Sequence, residues 1–401
     1  MLQAPRWRTP EVYAIAFSAF FADLGYQAVL AGFPLFLVLG LHAPVWLFGV
    51  ATAVSYGGGS LVAYLGGRLG DRVGHRRLAL IGNSFIPLLS LSALSAVPAA
   101  AVSLLTLGWW ARNLRTPSRR VMLTRAVPQG DQSAAFGFLH GLDVGGGMLA
   151  AAFVLVMLFL HVAWAWIFLL TAIPLALSTI ALSRTRIMDR PGPAKAGAKN
   201  AAAPGSPVMR SLLWAAALYG LSSYSVGFPV LTVAQGTHQP AMGIAAFLVL
   251  QGVSALTGLT LGARFGKSVR ERLRSLAFSG YLAACAGSLL LAAAYGMRLG
   301  TPLLFLGVAV LGFALGVVET LEPSLIGMLS QAGFAGRGFG ALSAARSLGL
   351  FVANAALGLL YALGPGFSYG YAALLAALAA AVLLVALPKV RLARPGAPAE
   401  S

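Results

Sequence analysis

Gly67-Arg68-Leu69-Gly70-Asp71-Arg72-Val73-Gly74-His75-Arg76-Arg77 lies between two long apolar runs. Its glycines allow sharp turns and close approach to neighbouring helix ends. Asp71 can sit near a helix N-terminus or meet an arginine of a neighbouring helix. Arg72, Arg76 and Arg77 hold such a segment on the cytoplasmic side of a membrane. The reading is a tight basic loop over 67–77 joining two membrane-spanning helices.

The rest of the chain supports this. Its 401 residues are 59% hydrophobic and 9% charged, where a soluble domain carries about 25% charged residues. A bilayer core about 30 Å thick needs roughly 20 apolar residues per helix. With short loops the length accommodates about twelve spans and no soluble domain. The first apolar run is long and lacks a small-residue cleavage site, so it reads as helix 1 and not as a signal peptide. The single cysteine, Cys285, falls inside an apolar run and reads as a small core residue.

A net charge of +18 raises nucleic acid as a partner, and the placement of the charge excludes it. Lys and Arg cluster at Arg6 and Arg8, Arg68 to Arg77, Arg119 to Arg125, Arg184 to Arg210, Arg264 to Arg274, Arg337, and Lys389 to Arg394. The intervening loops, near His42, Pro98, His161, His238 and Gly364, carry none; Arg298 is the exception. This is the positive-inside pattern. It predicts cytoplasmic termini, an even number of spans and basic loops facing anionic lipid.

Predicted helices 1 to 6 run near 12–39, 44–66, 78–97, 100–122, 134–160 and 163–183. Helices 7 to 12 run near 211–235, 241–262, 275–297, 301–329, 339–363 and 367–388. The organisation is thus a six-helix half over 1–183, a cytoplasmic linker over 184–210 rich in Pro, Gly, Ala and Lys, and a second half over 211–401. Gly262-Ala263-Arg264-Phe265-Gly266-Lys267 repeats the glycine and basic character of the 67–77 stretch at the equivalent place, without its Asp. Gly57-Gly58-Gly59 and Gly145-Gly146-Gly147 allow close helix approach, for packing alone or for packing that lets the halves rock.

The 67–77 stretch resembles the signature joining helices 2 and 3 of the major facilitator superfamily, with His75 where that family has Arg or Lys. The resemblance implies an all-α membrane fold of twelve helices in two pseudo-symmetric halves, with the substrate between them. It implies a gating role for Gly67, Asp71, Arg72, Gly74, Arg76 and Arg77. The N-terminal half also resembles a bacterial, efflux-like branch of unassigned substrate. The matching segments are Phe21-Ala22-Asp23, Pro34-Leu35-Phe36-Leu37, Arg115-Thr116-Pro117-Ser118-Arg119, Ala135-Phe136-Gly137 and Asp143 to Gly145. Three positions depart from it: Gln27 and Arg120 stand where acids are expected, and Gly145-Gly146 lacks the proline of the antiporter motif.

Four acids fall within the spans: Asp23, Asp143, Glu319 and Glu322. Charges inside a membrane are costly and mark partners, cavities or transport paths. Asp23 lies near mid-membrane, where many family members place an acid for proton or cation coupling. His140 precedes Asp143 by three residues on one face; the two can relay a proton or form a polar patch near the helix 4 arginines. Arg112 resembles the helix 4 arginine near the superfamily's proton path. Glu319 and Glu322 share a face, suit a proton or cation site, and have Arg346 as candidate ion-pair partner.

His42, His161 and His238 lie in separate loops without metal-ligand spacing, and no nucleophile or cofactor motif is present. The expected protein is a monomeric secondary transporter without metal or cofactor, not an enzyme, exporting a small molecule in exchange for protons. Its mostly apolar spans suit lipophilic solutes. The alternatives are uptake or facilitated diffusion of a solute or metal ion, and a non-transporting scaffold or assembly factor.

Overall fold

The computed structural model describes residues 8–127, 132–186, 207–261, 268–329 and 335–389. Twelve helices run through them. The first six are α1 (Pro10–Gly40), α2 (Val45–Val73), α3 (His75–Leu94), α4 (Pro98–Ala126), α5 (Gln132–Phe159) and α6 (Trp164–Ser183). The second six are α7 (Pro207–Thr237), α8 (Pro240–Leu261), α9 (Val269–Gly296), α10 (Thr301–Leu329), α11 (Ala335–Leu363) and α12 (Pro365–Ala386). Eleven are long and apolar enough to cross a membrane. The exception, α4, carries Arg112, Arg115, Arg119, Arg120 and Arg125. Residues 187–206 of the linker and the Gly262–Lys267 stretch lie outside the described residues.

The 67–77 stretch is not a loop. α2 continues through it to Val73 and α3 starts at His75, so the connection is Gly74 alone. Gly74 has φ +100°, which glycine adopts without strain. Packing keeps the rest helical: a Cβ on Gly70 would stand 2.7 Å from Ser118 Oγ of α4 and 2.5 Å from His75 Nδ1. Gly67, by contrast, has room for a methyl group.

The helices pack as two groups, α1–α6 and α7–α12, joined by α2 on α11, α5 on α8, and α1 on α7 and α8. The ends bearing Arg68–Arg77 and Arg270–Arg274 are called the basic end. At the opposite end both groups share one apolar core, with Phe33, Phe48 and Val154 of the first beside Phe228, Phe247 and Tyr361 of the second. α2 and α11 meet there backbone to backbone, since a Cβ on Gly49 would stand 2.5 Å from Gly358 Cα. At the basic end each group keeps a core of its own. One is built around Ile15, Met122 and Leu182, the other around Leu212, Leu276 and Leu325. The molecule is therefore closed at one end and cleft at the basic end.

α7 is broken between Ser222 and Gly227. Ser225 N donates to Asn354 Oδ1 of α11 at 2.8 Å, and Asn354 Nδ2 donates to Leu350 O. The fully buried Asn354 thus supplies an acceptor for a backbone group freed by the break.

Candidate functional site

Two cavities flank the α7 break. The cleft cavity lies between the halves and spans about 770 Å³, its open mouth included. Its polar wall is Gln27 of α1, Thr52, Ser55 and Tyr56 of α2, Ser225 at the break, and Gln251 of α8. Phe33, Phe48, Trp109 and Phe247 supply ring faces. Among the described residues no charged side chain lines it. Such a mixture of apolar surface and a few convergent polar groups is usual for small-molecule sites. Gln27, one of the three departures, thus gives this cavity an amide where a carboxylate is expected.

The charges gather closer to the basic end. Asp23 is thirteen residues into α1, about 20 Å along the axis, and is buried. Tyr26, one turn on, donates its hydroxyl hydrogen to Asp23 Oδ1. The Tyr26 hydroxyl oxygen in turn accepts from Arg112 Nη2 at 3.2 Å. The order is carboxylate, phenol, guanidinium. Arg112 lies over the rings of Tyr26 and Trp109, at 5.1 and 4.8 Å from their centroids. Trp109 meets Tyr26 edge-on at 5.8 Å and Tyr56 at 5.1 Å. A contact chain therefore runs from Asp23 to the cavity wall. α5 crosses α1 here, with Gly146 packed on Phe20 O and Asp23 Cβ.

The other α4 arginines do different work. Arg115 is fully buried and donates to Asn83 Oδ1 of α3. Asn83 donates in turn to Ser178 Oγ at 3.1 Å and Thr179 Oγ1 at 2.8 Å, and Ser178 reaches Ser18 O. That network ties α4, α3, α6 and α1 together, away from the cavity. Arg119 meets Asp143 at 3.3 Å. His140 is exposed and has no hydrogen bond to Asp143 among the described residues, so the contact seen here is the Arg119–Asp143 patch.

In the second half, Arg346 Nη2 donates to Glu319 Oε1 at 2.5 Å, and its Nε lies 3.5 Å from Glu322 Oε2. Glu322, fully buried, accepts from Tyr281 at 2.7 Å. The Glu319 side chain is 52% exposed. Tyr281 stacks on Tyr219 of α7 at 4.8 Å. Neither group lines the cleft cavity.

At the basic end, Asp71 bonds His75 Nε2 at 3.1 Å, and His75 Nδ1 lies 3.2 Å from Ser118 Oγ of α4. His75 is thus buried as a bridge between α2 and α4. Arg76 donates to Ser183 O and Thr185 O at the end of α6. His42, His161 and His238 each adopt φ near +55° after separate helices. Among the described residues no three His, Cys, Asp or Glu side chains gather as a metal site.

Sequence reasoning missed Tyr26, Tyr281, Asn83 and the α7 break. Tyr26 had a signal, the three-residue spacing from Asp23 that shares a helix face. Tyr281 and Asn83 meet partners distant in sequence and had none.

The sequence matches the Major Facilitator Superfamily over residues 15–353. The chain belongs to that superfamily. It is a multi-pass membrane transporter of this type. No curated relative matches the sequence. Among solved structures, the nucleoside transporter NupG superposes with a TM-score of 0.72 at 13% identity, covering 95% of this chain and 99% of that one. A POT family transporter in complex with 5-aminolevulinic acid gives 0.72 at 14%, covering 94% and 96%. A D-xylose-proton symporter gives 0.72 at 14%, covering 93% and 97%. These likenesses show the fold.

Proposed function

We propose that this transporter exports a small uncharged solute in exchange for protons by alternating access across a bacterial inner membrane. The basic end, with both termini, faces the cytoplasm, as the positive-inside pattern requires. The observation that carries the reading is the position of Asp23, a buried carboxylate between an uncharged cavity and the basic mouth, joined to the cavity wall through Tyr26, Arg112 and Trp109.

An unpaired charged carboxylate in the membrane costs several kcal/mol, so Asp23 must be paired or protonated in each state. In the cleft-open state Tyr26 and, through it, Arg112 hold the carboxylate. A solute entering from the basic end meets Tyr56 and Trp109. When the halves rock to expose the cavity to the other side, solute leaves and Asp23 takes up a proton. The proton is released to the cytoplasm on return. The cavity's hydroxyls, two amides and five aromatic rings suit an uncharged ring or polyhydroxyl solute better than the purely lipophilic one expected from composition.

Proton-coupled uptake is the second reading. It draws on the likeness to a D-xylose-proton symporter and on Gly145-Gly146, which lacks the antiporter proline. Proteoliposomes of known protein orientation, loaded with a panel of radiolabelled sugars, nucleosides and neutral drugs, separate the readings. Antiport predicts solute movement against an inward proton gradient; symport predicts movement with it. Equal fluxes with and without the gradient would remove proton coupling.

A further inference from the structure

The second cavity lies inside the α7–α12 group, with α7, α8, α9, α10 and α12 in its walls, and spans about 530 Å³ counted to its mouth. α9 and α12 take no part in lining the cleft cavity. Ser222, Tyr224 and Ser288 give it hydroxyls, Tyr224 and Ser288 already 3.1 Å apart. Ala284, Leu311 and Ala372 are among its apolar walls. Among the described residues none that lines it is charged. Val226 lines both cavities, and Leu250 and Gln251, neighbours on α8, line one each. The α7 break therefore forms a sill between two uncharged compartments. Asn354 holds that sill in place through Ser225 N.

We propose that the inner cavity is a second binding subsite, which takes the uncharged, largely apolar tail of an elongated solute whose polar head occupies the cleft cavity. The proposal deepens the transport reading by naming the solute's shape: an uncharged amphiphile with a head and a tail, reaching past Val226. A charged tail is rejected, because nothing in the wall compensates its lost hydration. The small side chains Ala284, Ala372 and Ala376 keep the compartment open.

The test uses thiol labelling and needs no transport, so it can fail while the transport reading stands, and the reverse. In a Cys285→Ala background, Val226→Cys places a thiol on the sill, and Thr52→Cys places one on the cleft wall as reference. The probes are N-ethylmaleimide, N-hexylmaleimide and 6-maleimidohexanoate. Partition of the hexyl probe into lipid or detergent raises its rate at both thiols alike. The excess at Val226→Cys over Thr52→Cys should be about tenfold or more, since the added methylenes enter an apolar compartment. The carboxylate probe of similar length should show no excess. Adding Ala284→Phe, which fills the inner cavity, should cancel the hexyl excess. Equal ratios at the two thiols, an excess that survives Ala284→Phe, or an unreactive Val226→Cys protein that melts like the parent would each overturn the proposal.

Discussion

Asp23 and Glu322 are buried carboxylates in opposite halves, and each meets a tyrosine hydroxyl and stands near an arginine. The order differs. In the first half the phenol of Tyr26 stands between acid and guanidinium. In the second, Glu322 stands between Tyr281 and Arg346, and Arg346 also holds Glu319. The balance differs too: Asp23 and Asp143 accompany Arg112, Arg115 and Arg119, whereas among the described residues Arg346 is the one arginine paired with Glu319 and Glu322. A carboxylate ion-paired directly to arginine is held in place, because losing either partner strands a buried charge. One reached only through a hydroxyl can change protonation with less disruption. Under the proposed function, coupling falls to the Asp23 side and scaffolding to the Glu322 side.

The largest expected effect comes from Arg346→Met. It leaves two carboxylates three residues apart, one fully buried, and should destabilise the protein by about 3–5 kcal/mol. Thermal melting in detergent reads this, and Glu322→Gln in the same chain should restore part of the loss. Unchanged melting would break the comparison. Gly49→Leu comes next. It forces a side chain into the backbone contact with Gly358 and should cost about 1–3 kcal/mol by overpacking. Accessibility of a cysteine at Phe48 from the opposite end should rise as that closure loosens.

Tyr26→Phe and Tyr281→Phe sharpen the contrast directly. Each removes one hydroxyl from a buried carboxylate and should cost about 1–3 kcal/mol. Only Tyr26→Phe should abolish the response of transport to a pH gradient, while Tyr281→Phe keeps it. Equal loss in both would put coupling in both halves. The smallest stability effect belongs to Asp71→Asn. Asp71 is 57% exposed in its pair with His75, so stability should change by less than about 1 kcal/mol. Transport should slow if, as the resemblance implies, the α2–α3 corner acts as a gate at the basic end. Loss of folding together with transport would mark Asp71 as structural only.

Much of this was legible in the sequence, for identifiable reasons. The helices declared themselves through long apolar runs, and Glu319, Glu322 and Arg346 through charges that membranes do not leave unpaired. The 67–77 stretch identified the fold but misled on its own shape. Three glycines read as a loop, yet packing of Gly70 on Ser118 and His75 keeps it helical to Val73. The α7 break went unread for the opposite reason. Ser222-Ser223-Tyr224-Ser225 is compatible with a helix, and the acceptor that holds the break, Asn354, lies more than a hundred residues away. The order of Asp23, Tyr26 and Arg112 depends on side-chain geometry between two helices, which spacing along one helix cannot supply.

Asp23→Asn tests the central claim most directly. The substitution keeps the shape and a hydrogen-bonding group for Tyr26 while removing titration. Purified variant and parent would be reconstituted at matched orientation. Two fluxes of the same labelled neutral solute would be compared: accumulation driven by a pH gradient, and counterflow at equal pH. The account predicts that the variant folds, exchanges solute in counterflow at a rate near the parent's, and accumulates none. Accumulation equal to the parent's would contradict it and move the coupling site to Glu319 and Glu322.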